Sequence, residues 1–262
     1  MTQKLKDVLG RALMPDQVKE CEKHGEYISR NFYGENWSGC EDCVKENREA
    51  EIIAEAKAKK EAEAERKILR WRAKVGGAAI PERFKDRSLD SYEAVTPAME
   101  KAKTFAWDYA NGFDQVMETG RCAIFVGKPG TGKTHLAIGV ALHIMKQDRT
   151  ALFVTVQRLI RRVKDSWNKD NNETESRVIE IFCEPDLLIL DEVGVQFGSD
   201  FERQILFDVL NERYEKRRPT ILLSNIPGNE LGGYLGSRVT DRLREDGGKM
   251  IAFDWESWRS KK

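Results

Sequence analysis

The stretch Gly127-Lys128-Pro129-Gly130-Thr131-Gly132-Lys133-Thr134 restricts what this chain can fold into more than any other part of it. It fits G-x-x-x-x-G-K-[ST], a pattern whose glycines let the backbone curl around phosphate oxygens with its N–H groups turned inward. Such a loop needs a strand to feed it and a helix to receive it. Both are predicted: Cys122–Val126 is an apolar run of strand length, and a helical pattern opens near Lys133. That helix would bring the positive end of its dipole to the phosphates. Lys133 is expected to reach the β- and γ-phosphates of a nucleotide, and Thr134 to place its hydroxyl on Mg2+.

From about residue 78 the chain supplies the sheet that this loop requires. The runs Ala151–Val156, Leu187–Leu190, Ile221–Leu223 and Met250–Phe253 alternate with amphipathic helices, as in a parallel α/β sheet. Five strands in this length suit one doubly wound domain. The run Leu187–Leu190 ends in Asp191-Glu192, so a buried strand would deliver two carboxylates to the sheet edge where ligands bind. Asp191 is expected to hold Mg2+ and Glu192 to act as general base on the attacking water. Ser224-Asn225 closes the fourth run, and Asn225 is expected to orient that water.

Acidic and basic residues balance at 44 each, so global charge makes no case for nucleic acid; any such contact must be local. A local basic cluster exists. Arg158, Arg161, Arg162 and Lys164 precede Trp167, and cations beside an aromatic face suit single-stranded nucleic acid. No apolar run is long enough to span a membrane, and the first residues lack the apolar core of a signal peptide, so a cytoplasmic location is expected.

The five cysteines are odd in number, which argues against a disulfide framework. Cys21-x2-His24 is followed, 15 residues on, by Cys40-x2-Cys43. Paired soft ligands at this spacing predict a structural zinc site with no open coordination position, and Gly25 and Gly39 would permit its tight turns. Before it, Leu5, Val8, Leu9 and Leu13 recur at helical spacing up to Pro15; that helix could pack on its own protein or on a partner. After it, residues 46–75 are rich in Glu, Lys, Arg and Ala and predict a long solvated helix, with Glu55–Lys59 and Glu63–Lys67 as pairs, broken at Gly76-Gly77. The expected organisation is an N-terminal partner-binding region with the zinc cluster (1–45), a charged helical linker (46–77) and a nucleotide-binding domain (78–262).

The loop, the Asp191-Glu192 strand and Asn225, in this order, resemble the Walker A, Walker B and sensor 1 elements of AAA+ ATPases. Four segments narrow the resemblance to DnaC-type replicative helicase loaders and their phage relatives. They are Gly127–Thr134 with His135-Leu136-Ala137, then Leu190-Asp191-Glu192-Val193-Gly194-Val195-Gln196, then Leu235–Leu243, then Phe253–Ser260. Ile80–Phe84 with Leu89 and Tyr92 resembles the way into that ATPase domain. The similarity covers roughly residues 80–260.

The resemblance implies an ATPase that uses ATP and Mg2+, has no C-terminal helical lid, and counts His135 among its nucleotide-binding residues. It implies an arginine acting in trans on a neighbour's nucleotide, with Arg242 the first candidate and Arg238 the second, and a sensor 2-like role for Arg259. It implies DNA contact by the Arg158–Trp167 segment, self-assembly into a ring or spiral, and a replicative hexameric helicase gripped by the N-terminal region. The Cys/His pairs depart from the best-known DnaC pattern and match phage-type relatives. Three other readings stay open. One is a transposition ATPase of the IstB type on duplex DNA, one an ATP-gated adaptor with little turnover, and one a small-molecule P-loop kinase.

Overall fold

The computed structural model describes residues 15–33, 36–75, 80–168, 173–194 and 199–258. The expected Leu5–Leu13 helix, the Gly76-Gly77 break and Arg259 lie outside the described residues. The chain separates into two compact units, Met1–Glu63 and Ala64–Lys262.

In the first unit β1 (Gln17–Cys21) and β2 (Gly25–Ser29) form an antiparallel hairpin, with Cys21 opposite Gly25 across the turn. A short pair comes next, β3 (Asn31–Tyr33) with β4 (Asn36–Trp37). Helix α1 (Glu41–Val75) begins directly after and runs for 35 residues, across the division between the units. Acidic Glu41 and Asp42 occupy its first turn, where the helix dipole favours them. The expected Glu55–Lys59 pair does not form. The i,i+4 pair present among the described side chains is Lys57–Glu61, at 3.9 Å, because a solvated helix face leaves long side chains little reason to hold one geometry. Cys40 is the one buried apolar side chain among the described residues of this unit. Val18 and Ile28, cross-strand partners on the hairpin, are 70% and 57% exposed. The described part of the unit therefore has no hydrophobic core of its own.

The second unit is built on a five-stranded parallel sheet in the order β6-β7-β8-β5-β9. The strands are β5 (Ala123–Gly127), β6 (Ala151–Thr155), β7 (Leu187–Val193), β8 (Thr220–Ser224) and β9 (Lys249–Phe253). They are the five apolar runs of the sequence, with modest shifts at their ends, and the α/β class is as expected. Strand alternation sorts the core into two layers. Ile124, Val126, Leu152, Val154, Leu188, Leu190 and Leu222 face one side. There they meet α5 (Val156–Asp165), α6 (Glu175–Cys183), α7 (Asp200–Glu215), α8 (Leu231–Leu235) and α9 (Ser237–Arg244). Ala123, Phe125, Phe153, Ile189, Ile221 and Phe253 face the other, under α2 (Pro97–Asn111), α3 (Phe113–Thr119) and α4 (Lys133–Met145).

Helix starts are written into the sequence. Thr96, Thr155, Thr174 and Ser199 each accept the backbone N–H three residues on, at the heads of α2, α5, α6 and α7. Each such cap contributes about 1 kcal/mol. The start of α4 is different: Gly132 offers no side-chain cap, so the first N–H groups of that helix are left for something else. At the far edge of the sheet Arg213 is wholly buried. It donates to the carbonyls of Phe182, Cys183, Pro185 and Pro219 and to the Thr220 hydroxyl, stitching the end of α6 to the starts of β7 and β8.

Candidate nucleotide-binding site

The phosphate loop leaves β5 at its C-terminal end and turns into α4. Gly127, Gly130 and Gly132 all have positive φ, at 146°, 81° and 94°. At Gly127 a Cβ would lie 2.1 Å from the Phe253 carbonyl oxygen, so β9 allows no side chain there; at Gly132 it would lie 2.7 Å from the Tyr92 ring. Lys133 is buried, and its ammonium donates to the carbonyls of Gly127 (2.6 Å) and Lys128 (2.8 Å). Thr131 closes the loop by donating to Lys128 O at 2.8 Å. Lys128 and Pro129 stand exposed at its tip.

Asp191 and Glu192 arrive from β7. The β7–β8 register shifts between Leu190 and Val193, so the two acids bulge out of the ladder at the sheet edge. Thr134 Oγ1 donates to Asp191 Oδ2 at 3.1 Å, which brings the two motifs, 57 residues apart, into one place. That separation matches the roughly 3 Å edge of an octahedron with about 2.1 Å bonds, so these two oxygens fit Mg2+. Burial raises the Asp191 carboxyl above its ordinary value, opposed by the Glu192 N–H, the Thr134 hydroxyl and the Lys133 charge. Glu192 is exposed and its backbone is left-handed, with φ 62°. Asn225 is exposed directly beyond β8, while its neighbour Ser224 is buried and donates to Val193 O at 2.8 Å. Ser224 thus ties the Asp191-Glu192 bulge to the next strand, a task its sequence gives no sign of.

Several expected site residues do other things within the chain. The His135 ring is held by the segment Ser88–Tyr92: its Nε2 donates to Ser88 O at 3.0 Å and sits 3.1 Å from Ser91 Oγ, with the ring edge-on to Tyr92. Burial lowers its pKa and keeps it neutral. It pins the segment Ser88–Tyr92 beside the loop. Arg242 lies over the Tyr214 ring, with 4.7 Å from Cζ to the centroid, and lines a small cavity with Cys122 and Thr220 at the N-terminal ends of β5 and β8. This is the sheet edge opposite the phosphate loop. Arg238, one turn earlier on α9, is exposed.

The basic cluster of α5 is less basic than its sequence. Arg162 pairs with Glu173 at 3.1 Å and Lys164 with Glu202 at 2.9 Å; the Trp167 indole donates to Glu175 and its ring rests on Phe201. The acids come from residues 173–202, distant enough in sequence for the cluster to look unopposed. Arg158 and Arg161 line an open groove that Arg162, Asp165 and Glu173 complete, and both are exposed along it.

The first unit holds a separate cluster. Cys21, His24, Cys40 and Cys43 place their ligand atoms all within 4.8 Å of one another. Cys21 and Cys43 sulfurs are 3.5 Å apart, and His24 Nδ1 is 3.8, 3.6 and 3.3 Å from the sulfurs of Cys21, Cys40 and Cys43. Tetrahedral zinc, with bonds of about 2.3 Å to sulfur and 2.0–2.1 Å to nitrogen, requires edges of roughly 3.5–3.8 Å. The four residues fit it. The N–H groups of Lys23 and His24 point at the Cys21 sulfur and lower its thiol to about 6. Gly25 supplies the left-handed turn, with φ 76°. His24 Nε2 donates to Glu46 Oε1 at 3.1 Å, which fixes the ring; Glu46 lies one turn beyond Cys43 on α1.

The chain is 33% identical over 195 residues to the replicative helicase loader DnaC of Buchnera aphidicola subsp. Baizongia pistaciae, covering 74% of this chain and 78% of that one. The model of the family described as IstB-like ATP binding protein matches residues 60–261. The chain belongs to the DnaC/IstB-like family of ATP-binding proteins. Its identity to the replicative helicase loader DnaC of Escherichia coli K12 is 32% over 174 residues, 66% of this chain and 69% of that one. The crystal structure of the DnaC helicase loader has the same fold, with a TM-score of 0.59 at 24% identity over 66% of this chain and 99% of that chain. In this DnaC/IstB-like chain the matched region takes in the phosphate loop, Asp191-Glu192, Arg238 and Arg242, and leaves the Cys/His cluster outside.

Proposed function

We propose that this protein is an ATP-driven loader of a replicative DNA helicase onto single-stranded DNA. The observation that carries the reading is the Thr134–Asp191 contact, which brings the phosphate loop and the acidic strand end together at one sheet edge in a chain whose relatives are named replicative helicase loaders. In this reading Gly127–Thr134 hold the phosphates, and Lys133 exchanges its loop carbonyls for the β- and γ-oxygens. Thr134 and Asp191 hold Mg2+, which neutralises charge on the transferred phosphoryl group. Glu192 accepts a proton from the attacking water and Asn225 orients that water.

Arg238 is exposed and Arg242 lies at the sheet edge opposite its own chain's phosphate loop, as suits a residue serving a neighbour in a ring or spiral. Arg238, exposed, needs no rearrangement to do so; Arg242 must first leave Tyr214. Arg158 and Arg161, exposed on α5, meet the DNA backbone without rearrangement, while Arg162, Lys164 and Trp167 must first release Glu173, Glu202 and Glu175. The N-terminal unit, held by zinc, grips the helicase, and its exposed Val18–Ile28 pair offers an apolar contact.

The test is native mass spectrometry of the full chain with the replicative hexameric helicase of its own source, with ATP, with ADP, and with Glu192→Gln. A stoichiometric complex whose stability depends on the nucleotide supports loading. Absence of a complex in every state sinks it, and duplex-DNA binding with a transposase then becomes the reading to examine.

A further inference from the structure

The turn after β9 lies across the outside of the phosphate loop. The Trp255 indole N–H donates to the Thr131 carbonyl at 2.9 Å, and the Trp258 backbone N–H donates to the Gly130 carbonyl at 3.0 Å. The Trp255 ring rests on Phe253, with centroids 4.8 Å apart, and the Phe253 carbonyl closes on Gly127. Two consecutive peptides of the loop are therefore held from behind by a segment more than 120 residues away in sequence.

A trans peptide points its C=O and the next N–H in opposite directions. Drawing the Thr131 carbonyl out to Trp255 turns the Gly132 N–H the other way. Drawing the Gly130 carbonyl out to Trp258 does the same to the Thr131 N–H. The carbonyls of Gly127 and Lys128 are occupied by Lys133 and Thr131. We infer that Trp255–Trp258 is a positioning strap, which holds the Thr131 and Gly132 N–H groups ready for nucleotide phosphate and makes the order of the C-terminal turn depend on nucleotide. The inference rests on the ATP-binding reading. Groups oriented before the ligand arrives need not be ordered by it, which is where the affinity comes from. Binding linkage is reciprocal, so phosphate in the loop must tighten the strap by the same factor that the strap tightens phosphate.

Trp255→Phe keeps the ring on Phe253 and removes only the donor. MgATP and MgADP affinity of the full chain is measured by calorimetry, beside thermal melts with and without nucleotide. A positioning role weakens both nucleotides by about three- to tenfold, the range of one hydrogen bond. It shrinks the nucleotide-induced rise in melting temperature more than it lowers the melt of the bare chain. Hydrogen exchange on the unaltered chain is the second measurement: MgATP slows exchange over residues 254–258, and Lys133→Ala abolishes that protection. Unchanged nucleotide affinity in Trp255→Phe, whether or not the bare chain melts lower, overturns the strap, as does exchange at 254–258 that ignores MgATP. If the unaltered chain binds no ATP, the reading beneath the strap fails instead.

Discussion

Glu46 is a sharper probe of the zinc assignment than any of the four ligands. Changing a cysteine ligand removes a bond and its neighbourhood together, whereas Glu46→Ala leaves the three sulfurs and the His24 ring in place. What it removes is the acceptor for His24 Nε2, at 3.1 Å, and with it the charge that makes the Nδ1 lone pair a stronger donor. Partners of this kind contribute about 10- to 100-fold in metal affinity. Glu46 is 46% exposed and shares its carboxylate with Lys23, so solvent screens it and the low end applies. The expected loss is about tenfold for Glu46→Ala and larger for His24→Ala. The assay is competition for Zn2+ against a chromogenic chelator in reducing buffer. Because the described part of this unit has no apolar core beyond Cys40, chelation should also release its amide protection while the sheet of the second unit keeps its own. The reasoning is refuted if Glu46→Ala holds zinc as tightly as the parent chain, or if the parent chain takes up none.

Glu192→Gln should bind MgATP as the parent does while phosphate release, measured with helicase and single-stranded DNA present, falls about 10²- to 10⁴-fold. Asp191→Asn should abolish Mg2+-dependent hydrolysis yet stabilise the nucleotide-free chain. Because burial raises the Asp191 carboxyl, the folded state holds that proton to higher pH than the unfolded chain does, so ionisation costs stability as pH rises through the raised value. The melting-temperature gain of the amide should therefore be small near pH 4 and larger at pH 7. Arg213→Met should strand at least three buried carbonyls, costing roughly 3 kcal/mol or more, a fall of about 6–12 °C in the melt of a unit this size.

The sheet was legible because most of its strands announce themselves twice, as an apolar run and by the residues just beyond its end. The phosphate loop comes after β5, two acids close β7, and Ser224-Asn225 closes β8. The Cys/His cluster was legible because its pattern is local: Cys-x2-His and Cys-x2-Cys can each be read within four residues. The features that escaped depend on pairs far apart in sequence. Nothing near Arg162 or Lys164 says that Glu173 and Glu202 will neutralise them, and nothing near His135 says that Ser88 will take its N–H. Glu46 lies one helical turn past Cys43, so a helix that starts at Glu41 carries its carboxylate on the face of the cluster. Arg213 and Trp255 gave no signal: a buried arginine looks like a solvated one on α7, and an indole donor is invisible until its acceptor, 124 residues away, is folded beside it.

Glu192 carries a consequence for how this chain can change over generations. Its φ of 62° is a conformation that glycine or asparagine adopts freely and that costs glutamate about 1–2 kcal/mol. Two selections therefore pull against each other at one codon. A library screened only for survival of heat should drift at position 192 toward glycine or asparagine, gaining stability as it goes. A library screened for growth that depends on this protein should keep the strained glutamate, and the divergence between the two populations would measure, in mutational terms, how much folding the chain gives up to hold an acid at the edge of its sheet.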